Sequence, residues 1–318
     1  MKINILVTSS GVMSAVNVIK SLRLQNEYDL NIIAIDMDEY APGLYLADKK
    51  YLCPPVKQSI DYLNFIFEII QRESIQFVFP CYSGEISLFA KNKKELLKIG
   101  ANVLLPNVDT IKLCNDKMKS NSRAKEINIP VPEIFANPTE SDLPIFTRLV
   151  EGSSSDGALL IENELLLNFY LKENYKRIFQ QYIDGVEYTV DTICDYNYDV
   201  IKACPRIRIS TKSGQTVKGI TVNDDKIQQY TKAICKAFKI VGVCNLQFMR
   251  EGNTYYFIEV NPRYAAGGLM LTTNSGVNLP LLALKIMQGI TIDQSELNHN
   301  SGLKMTRYWQ EIIISEPS

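Results

Sequence analysis

Apolar residues along this chain recur in two alternating periods, one suited to strands and one to helices. Ile3 to Val7 is a short apolar run. Val12, Val16, Ile19 and Leu22 follow at helical spacing, and Asn31 to Ile35 is a second run, so the first third opens with a βαβ unit. Tyr62 to Arg72 carries Leu63, Ile66 and Ile70 on one stripe and predicts an amphipathic helix. Strands are expected over Gln76 to Phe79 and Asn102 to Leu105, with Pro106 closing an open α/β sheet. A helix capped by Asn115 and starting at Asp116-Lys117 should end before Ile129-Pro130-Val131-Pro132, because proline supplies no N–H to a continuing helix. Further strands are expected at Pro144 to Arg148, across Arg177 to Asp191, at Tyr198 to Ile209 and at Lys304 to Ile314. Helices are expected over Asp225 to Phe238 and after Asn278, where Pro280 falls in the first turn and Leu281, Leu284 and Met287 point inward. There are no internal repeats.

One hairpin concentrates polar oxygens. Val243 to Met249 and Thr254 to Asn261 flank Glu251-Gly252-Asn253, a turn whose glycine suits a hairpin. Alternation along the strand predicts Tyr255, Phe257, Glu259 and Asn261 on one face, and an even-sum register adds Gln247 to it. A carboxylate among aromatic and aliphatic neighbours is costly to bury without a compensating cation. Two solutions stand side by side at this point: a hard divalent ion on the oxygens of Glu259, Asn261 and Gln247, or an ion pair with Arg263 at the strand end.

Composition narrows the classes. With 318 residues, 46% of them hydrophobic, the chain can build two or three domains around real cores. Its 34 Lys and Arg balance 35 Asp and Glu, so nothing favours nucleic acid or an anionic membrane as partner. Seven cysteines without a C-x-x-C spacing read as reduced core thiols of a cytoplasmic protein. His299 is the only histidine, which argues against a His-based triad. No signal-peptide core and no apolar run of the roughly 20 residues needed to span a bilayer occur.

Several loops have the chemistry to hold anions. Thr8-Ser9-Ser10-Gly11 opens the first helix and Asp36 ends the second strand, as in dinucleotide sites. Only one of the three fingerprint glycines is present, so a loop that merely caps a site is the other reading. Cys81-Tyr82-Ser83-Gly84-Glu85 follows a strand end, where Tyr82 and Glu85 could meet a second substrate or Glu85 could simply occupy a helix first turn. Glu151-Gly152-Ser153-Ser154-Ser155-Asp156-Gly157 follows Arg148 and has the composition of a phosphate flap or of a linker. Ser210 to Gly219 reads as a mobile loop; Arg206 and Lys218 beside it are candidates for γ-phosphate or substrate contacts, or solvated cations.

The string Asn245-Leu246-Gln247-Phe248, a turn, then Ile258-Glu259-Val260-Asn261-Pro262-Arg263, resembles the metal-binding strands of ATP-grasp enzymes, above all those of the carbamoyl phosphate synthetase large subunit. The similarity continues through residues 275–289. The resemblance implies an α/β and α+β architecture: a Rossmann-like pre-ATP-grasp domain (1–108), then a two-lobed ATP-grasp fold with a small lid (109–179) and a large lobe with a C-terminal edge strand (180–318). It implies metal binding by Gln247, Glu259 and Asn261, and an Arg263 that faces the transferred phosphoryl group. Lys117 and Arg148 would grip phosphates, together with the flap residues Gly152, Ser153, Ser154 and Ser155. Many ATP-grasp proteins have Lys where Arg148 stands, whereas the synthetase branch has Arg. Gln180 and the backbones of Gln181 and Ile183 would meet adenine, Tyr182 would line its pocket and Glu187 would accept the ribose hydroxyls. The implied cofactors are ATP and Mg²⁺, with Mn²⁺ as an alternative ion. The implied activity is that of a stand-alone carboxylate-amine ligase working through an acyl phosphate on small-molecule substrates, with a homodimer allowed. A nucleotide-binding protein without ligase activity and a dinucleotide oxidoreductase are the alternatives.

Overall fold

Strands buried on both faces need near-continuous apolar sequence, and the first third of the chain supplies it. In the computed structural model, which describes residues 2–150, 157–173 and 176–314, β1 (Ile3–Val7), β2 (Leu30–Asp36), β3 (Lys49–Leu52), β4 (Phe77–Phe79) and β5 (Asn102–Val103) form one parallel sheet in the order β3-β2-β1-β4-β5. Helix α1 (Met13–Arg23) covers one face over Ile5, Val7, Ile32 and Ala34. Helices α2 (Ser59–Arg72), α3 (Ser83–Lys91) and α4 (Lys93–Lys98) cover the other over Leu6, Ile33, Ile35 and Val78. Strand β3, with the polar sequence KKYL, has no apolar run; it forms because β2 offers it an edge.

Helices α5 (Val108–Asn115) and α6 (Lys117–Glu126) come next. The α6 cap is Asp116, which accepts from Lys119 N at 3.0 Å, and not Asn115, which ends α5. Cys114, Ala124 and Ile129 share a core with Val190, Leu246, Phe248 and Phe257, so these helices are seated on the C-terminal sheet. The lid sheet itself comprises β6 (Ile134–Phe135), β7 (Ile145–Leu149), β8 (Leu159–Ile161) and β9 (Arg177–Gln181) in the order β6-β9-β7-β8, with α7 (Glu164–Leu171) against it.

The last part is a six-stranded antiparallel sheet, ordered β14-β13-β10-β11-β12-β15. Its strands are β10 (Val186–Cys194), β11 (Val200–Lys212), β12 (Gln215–Thr221), β13 (Gly242–Glu251), β14 (Thr254–Asn261) and β15 (Lys304–Thr306). Helix α8 (Asp225–Phe238) packs on one face, while α9 (Leu269–Asn274) and α10 (Leu279–Met287) join the other to the N-terminal domain.

Three sequence expectations change here. Gln247 pairs with Glu259 but Phe248 pairs with Phe257, so Ile258 is an extra residue, a β-bulge. The bulge turns Tyr255 and Phe257 into the core, 3% and 0% exposed, and leaves Glu259 and Asn261 on the opposite face instead of sharing one face with them. Ser210 to Gly219 is an ordered hairpin, not a loop. Its two turn residues, Ser213 (φ 48°) and Gly214 (φ 71°), both have the positive φ that a tight two-residue hairpin turn requires. The final strand is short: Lys304–Thr306 pairs with β12, and residues 307–314 have no regular structure. All seven cysteines are free and six are buried. No helix among the described residues is long and apolar enough to cross a membrane.

Glu85 ties the N-terminal domain together. Its carboxylate, 0% exposed, accepts from Thr8 Oγ1 (2.7 Å), Ser9 Oγ (2.9 Å), the Tyr62 hydroxyl (2.6 Å) and the backbone N of Cys81 and Tyr82 (2.9 Å each). All its acceptor capacity is used in joining three elements, so the first-turn reading of Glu85 holds and the substrate reading does not. Glu85→Ala strands these donors and should lower the free energy of unfolding by about 3 kcal/mol or more, measured as a shift of the urea midpoint at unchanged slope.

Candidate active site

A side chain of the lid reaches the C-terminal sheet. In the β7–β9 register Phe146 opposes Gln180 and Arg148 opposes Ile178, which puts Arg148 and Gln180 on the same face. Arg148, 6% exposed, donates from Nη1 to Glu259 Oε2 (3.2 Å) and from Nη2 to the Ile258 carbonyl (3.0 Å). Burial pulls its pKa down and the neighbouring Glu259 pulls it back up. Glu259 Oε1 accepts from Asn261 Nδ2 at 2.9 Å, and the register sets Gln247 opposite Glu259 and Asn245 opposite Asn261. The three expected metal-site residues therefore stand together, and Arg148 joins them from the lid.

Glu259 and Asn261 line two cavities. A cleft of about 550 Å³ reaches Tyr82, Ser83 and Lys117, and a smaller cavity of about 90 Å³ is lined by Gln247, Arg206, Arg208, Arg263 and Thr189. Lys117 is 8% exposed in the first turn of α6, as the sequence suggested. Arg263 donates from Nε to Ser83 Oγ (2.6 Å) and from Nη1 to the Tyr264 carbonyl (3.1 Å); burial lowers its pKa and Glu259 raises it.

The two candidates near the β11–β12 hairpin differ. Arg206, 2% exposed, spends its fork on Asp191 (Nε to Oδ2 2.9 Å, Nη2 to Oδ1 3.3 Å) and on Thr216 Oγ1 (3.0 Å). Asp191 also accepts from Thr272 Oγ1 at 2.6 Å, so this pair is part of the sheet's framework. Lys218 is exposed opposite Thr306 and lines neither cavity. Arg208, which the sequence reading passed over, lies in the small cavity and donates to Glu187 Oε1 (2.5 Å) and the Gly214 carbonyl (2.7 Å). Its signal was available: Arg206 and Arg208 are two apart on one strand and so share a face. Burial raises the pKa of Glu187, and Arg208 opposes that.

At the hinge, Gln180 is 3% exposed and its Oε1 has no partner among the described residues. Such an acceptor is costly unless a ligand or water donates to it. The backbone N of Gln181, expected to face adenine, donates instead to the Glu133 carbonyl at 2.8 Å. Ile183 is buried and Tyr182 half-buried in the link to β10. Gly152, Ser153, Ser154 and Ser155 lie outside the described residues.

The donor set suits a hard cation. Among the described residues no three His, Cys, Asp or Glu side chains cluster as a metal site, which leaves one carboxylate and side-chain amide oxygens. Mg²⁺ is commonly held this sparsely, with phosphates and water completing its shell. The dinucleotide alternative loses its anion site. Gly11 N donates to Asp36 Oδ2 at 2.7 Å and Asp38 N to Asp36 Oδ1 at 3.0 Å, so a carboxylate of the chain itself occupies the loop.

Comparisons with known proteins agree with this layout. Residues 174–310 match the family described as "ATP-grasp in the biosynthetic pathway with Ter operon", and residues 5–104 match "PylC-like, N-terminal domain". The carbamoyl phosphate synthase large chain of Clostridium acetobutylicum is 26% identical over 266 residues, covering 76% of this chain and 25% of that protein. The chain thus spans about a quarter of the length of this curated relative. The biotin carboxylase domain dimer of Hydrogenobacter thermophilus 2-oxoglutarate carboxylase, solved with MgADP, ADP and bicarbonate, superposes with a TM-score of 0.71 at 17% identity over 93% of this chain and 72% of that one. The L-amino acid ligase of Bacillus licheniformis superposes with a TM-score of 0.68 at 15% identity over 92% and 76%. These two structures share the fold.

Because Asp191 is 1% exposed, Arg206→Ala would leave a buried carboxylate without its cation. Thermal or urea unfolding should report a loss of about 3–5 kcal/mol, and Arg206→Lys should recover only part of it.

Proposed function

We propose that this chain is an ATP-dependent carboxylate-amine ligase of the ATP-grasp superfamily, a reading supported by the match over residues 174–310 and by the shared fold. The observation that carries the reading is the meeting of Arg148 from the lid with Glu259 from the C-terminal sheet. A phosphate-gripping cation and a metal-binding carboxylate face one another across the gap between two lobes. That is where a triphosphate and its counter-ion would be inserted.

The roles follow from placement. Gln180 has an unpaired carbonyl oxygen at the hinge, which suits acceptance from the amino group of adenine. Glu187 would take the ribose hydroxyls with its second oxygen while Arg208 holds the first. Lys117 and Arg148 would hold phosphate oxygens, the guanidinium able to grip two at once. Glu259, Asn261 and Gln247 would hold Mg²⁺, whose charge would offset that of the triphosphate. Arg263 would steady the γ-phosphoryl group or the acceptor. In the reaction an oxygen of the acceptor carboxylate attacks the γ-phosphorus and ADP leaves, giving an acyl phosphate. An amine nitrogen then attacks the acyl carbon, phosphate departs and the amine loses a proton. This chemistry asks for position and charge rather than a covalent nucleophile, which fits a chain whose one histidine is engaged by Ser275 Oγ. The carboxylates and amines are taken to be small molecules, and the free thiols fit a cytoplasmic setting.

Two substitutions test the reading. Glu259→Ala should abolish ADP formation while circular dichroism keeps its wild-type form, with a lowered melting transition because the buried Arg148 loses its counter-charge; near-normal ADP release would refute the metal assignment. Arg148→Ala should weaken MgATP binding by roughly tenfold or more in calorimetry, the scale of a lost charge-assisted hydrogen bond, and an unchanged affinity would remove the phosphate role of the lid.

A further inference from the structure

Ser83 stands at the first helical position of α3, just beyond the C-terminal end of β4, where open parallel sheets present their ligand sites. Its hydroxyl does not cap that helix. Instead Ser83 Oγ accepts from Arg263 Nε at 2.6 Å, a bond that spans 180 residues of sequence and links the N-terminal domain to the strand end of the hairpin. A hydroxyl oxygen that accepts from an arginine keeps its own O–H to donate. Among the described residues no hydrogen bond from that O–H is formed. Ser83 lines the cleft of about 550 Å³ that Glu259 and Asn261 also line, and Arg263 lines the smaller cavity that the same two residues share.

We propose, building on the ligase reading, that Ser83 is a binding residue for the acceptor carboxylate and at the same time sets the aim of Arg263. One carboxylate oxygen accepts from the Ser83 hydroxyl and the other from Arg263 Nη2, the terminal nitrogen that the Tyr264 carbonyl does not engage. The hydroxyl and the guanidinium are already in contact through Nε before substrate arrives. Two adjacent donors match the two oxygens of a carboxylate better than the single oxygen of an alcohol or an amide, so the large cleft takes a small carboxylic acid with its acid end directed at Glu259 and Asn261. Because the two donors belong to different domains, the clamp exists only while the N-terminal domain stays docked on the C-terminal sheet.

The test uses the full chain with Mg²⁺ and the non-hydrolysable analogue AMP-PNP, and millimolar acetate and glycine as carboxylate probes in saturation-transfer NMR. Wild type should show transfer to the probes. Ser83→Ala should weaken it roughly tenfold, and Ser83→Thr, which keeps the hydroxyl, should restore it. AMP-PNP affinity by calorimetry should be the same in all three proteins. Equal transfer in wild type and Ser83→Ala would overturn the proposal, as would absence of transfer in wild type that binds AMP-PNP. Failure of every protein to bind AMP-PNP would instead count against the nucleotide site, while the acetate and glycine signals still decide the role of Ser83.

Discussion

The contact between Arg148 and Glu259 is the constraint on which the site depends. The Arg148 side chain is buried by the lid while that of Glu259 stays 23% exposed, so it is the guanidinium that most needs a partner, because an uncompensated buried charge costs several kcal/mol. Their separation of 3.2 Å joins lid and lobe. The same pair is also the part most easily exchanged. A triphosphate can satisfy Arg148 better than one carboxylate, and a divalent cation can satisfy Glu259 better than one guanidinium. A pair that neutralises itself in this way leaves neither sheet with an unpaired charge.

Two further buried pairs extend the pattern along the same sheet face. Arg206 with Asp191 lies deepest, and Arg208 with Glu187 lies nearer the hinge. The gradient in exposure of the acids, from 1% for the Asp191 side chain to 32% for that of Glu187, separates scaffold from candidate ligand contacts. A pair sealed on all sides can only hold the sheet in shape, whereas a carboxylate with one oxygen still reachable can meet a ligand. The bulge at Ile258 is what makes this face polar at all. Without the extra residue, strict alternation would send Glu259 to the same side as Phe257, into the core beneath α8.

Much of the fold was legible because its signals are local. The helix Asp225–Phe238 and the Pro280 start of α10 follow from apolar spacing and capping chemistry, and both are found at the expected residues. What was not legible depends on partners distant in sequence. Strand β3 has no apolar pattern and exists because β2 has an open edge. The bulge is decided by the pairing of β13 with β14, which alternation along one strand cannot register. Residues 210–219 have the composition of a flexible loop, yet the positive φ at Ser213 and Gly214 makes a tight turn of them. At the site, the residue types around Glu259 were readable, but which arginines are already committed was not. Only the fold reveals that Arg206 is engaged by Asp191 and that Arg263 reaches Ser83.

The N-terminal domain looks like a dinucleotide fold whose ligand chemistry has been turned inward. Asp36 sits where a ribose acid would, but its oxygens answer the amides of Gly11 and Asp38. Glu85 stands beyond a strand end, and it is consumed by five donors from its own domain. Both features stiffen the edge of the parallel sheet. A stiff edge is what the adjoining site requires, because Tyr82 and Ser83 form one side of the large cleft and Ser83 holds Arg263 from across the domain boundary. Internal satisfaction of Asp36 and Glu85 therefore leaves this sheet end as a side of the cleft, from which Ser83 accepts the Arg263 guanidinium.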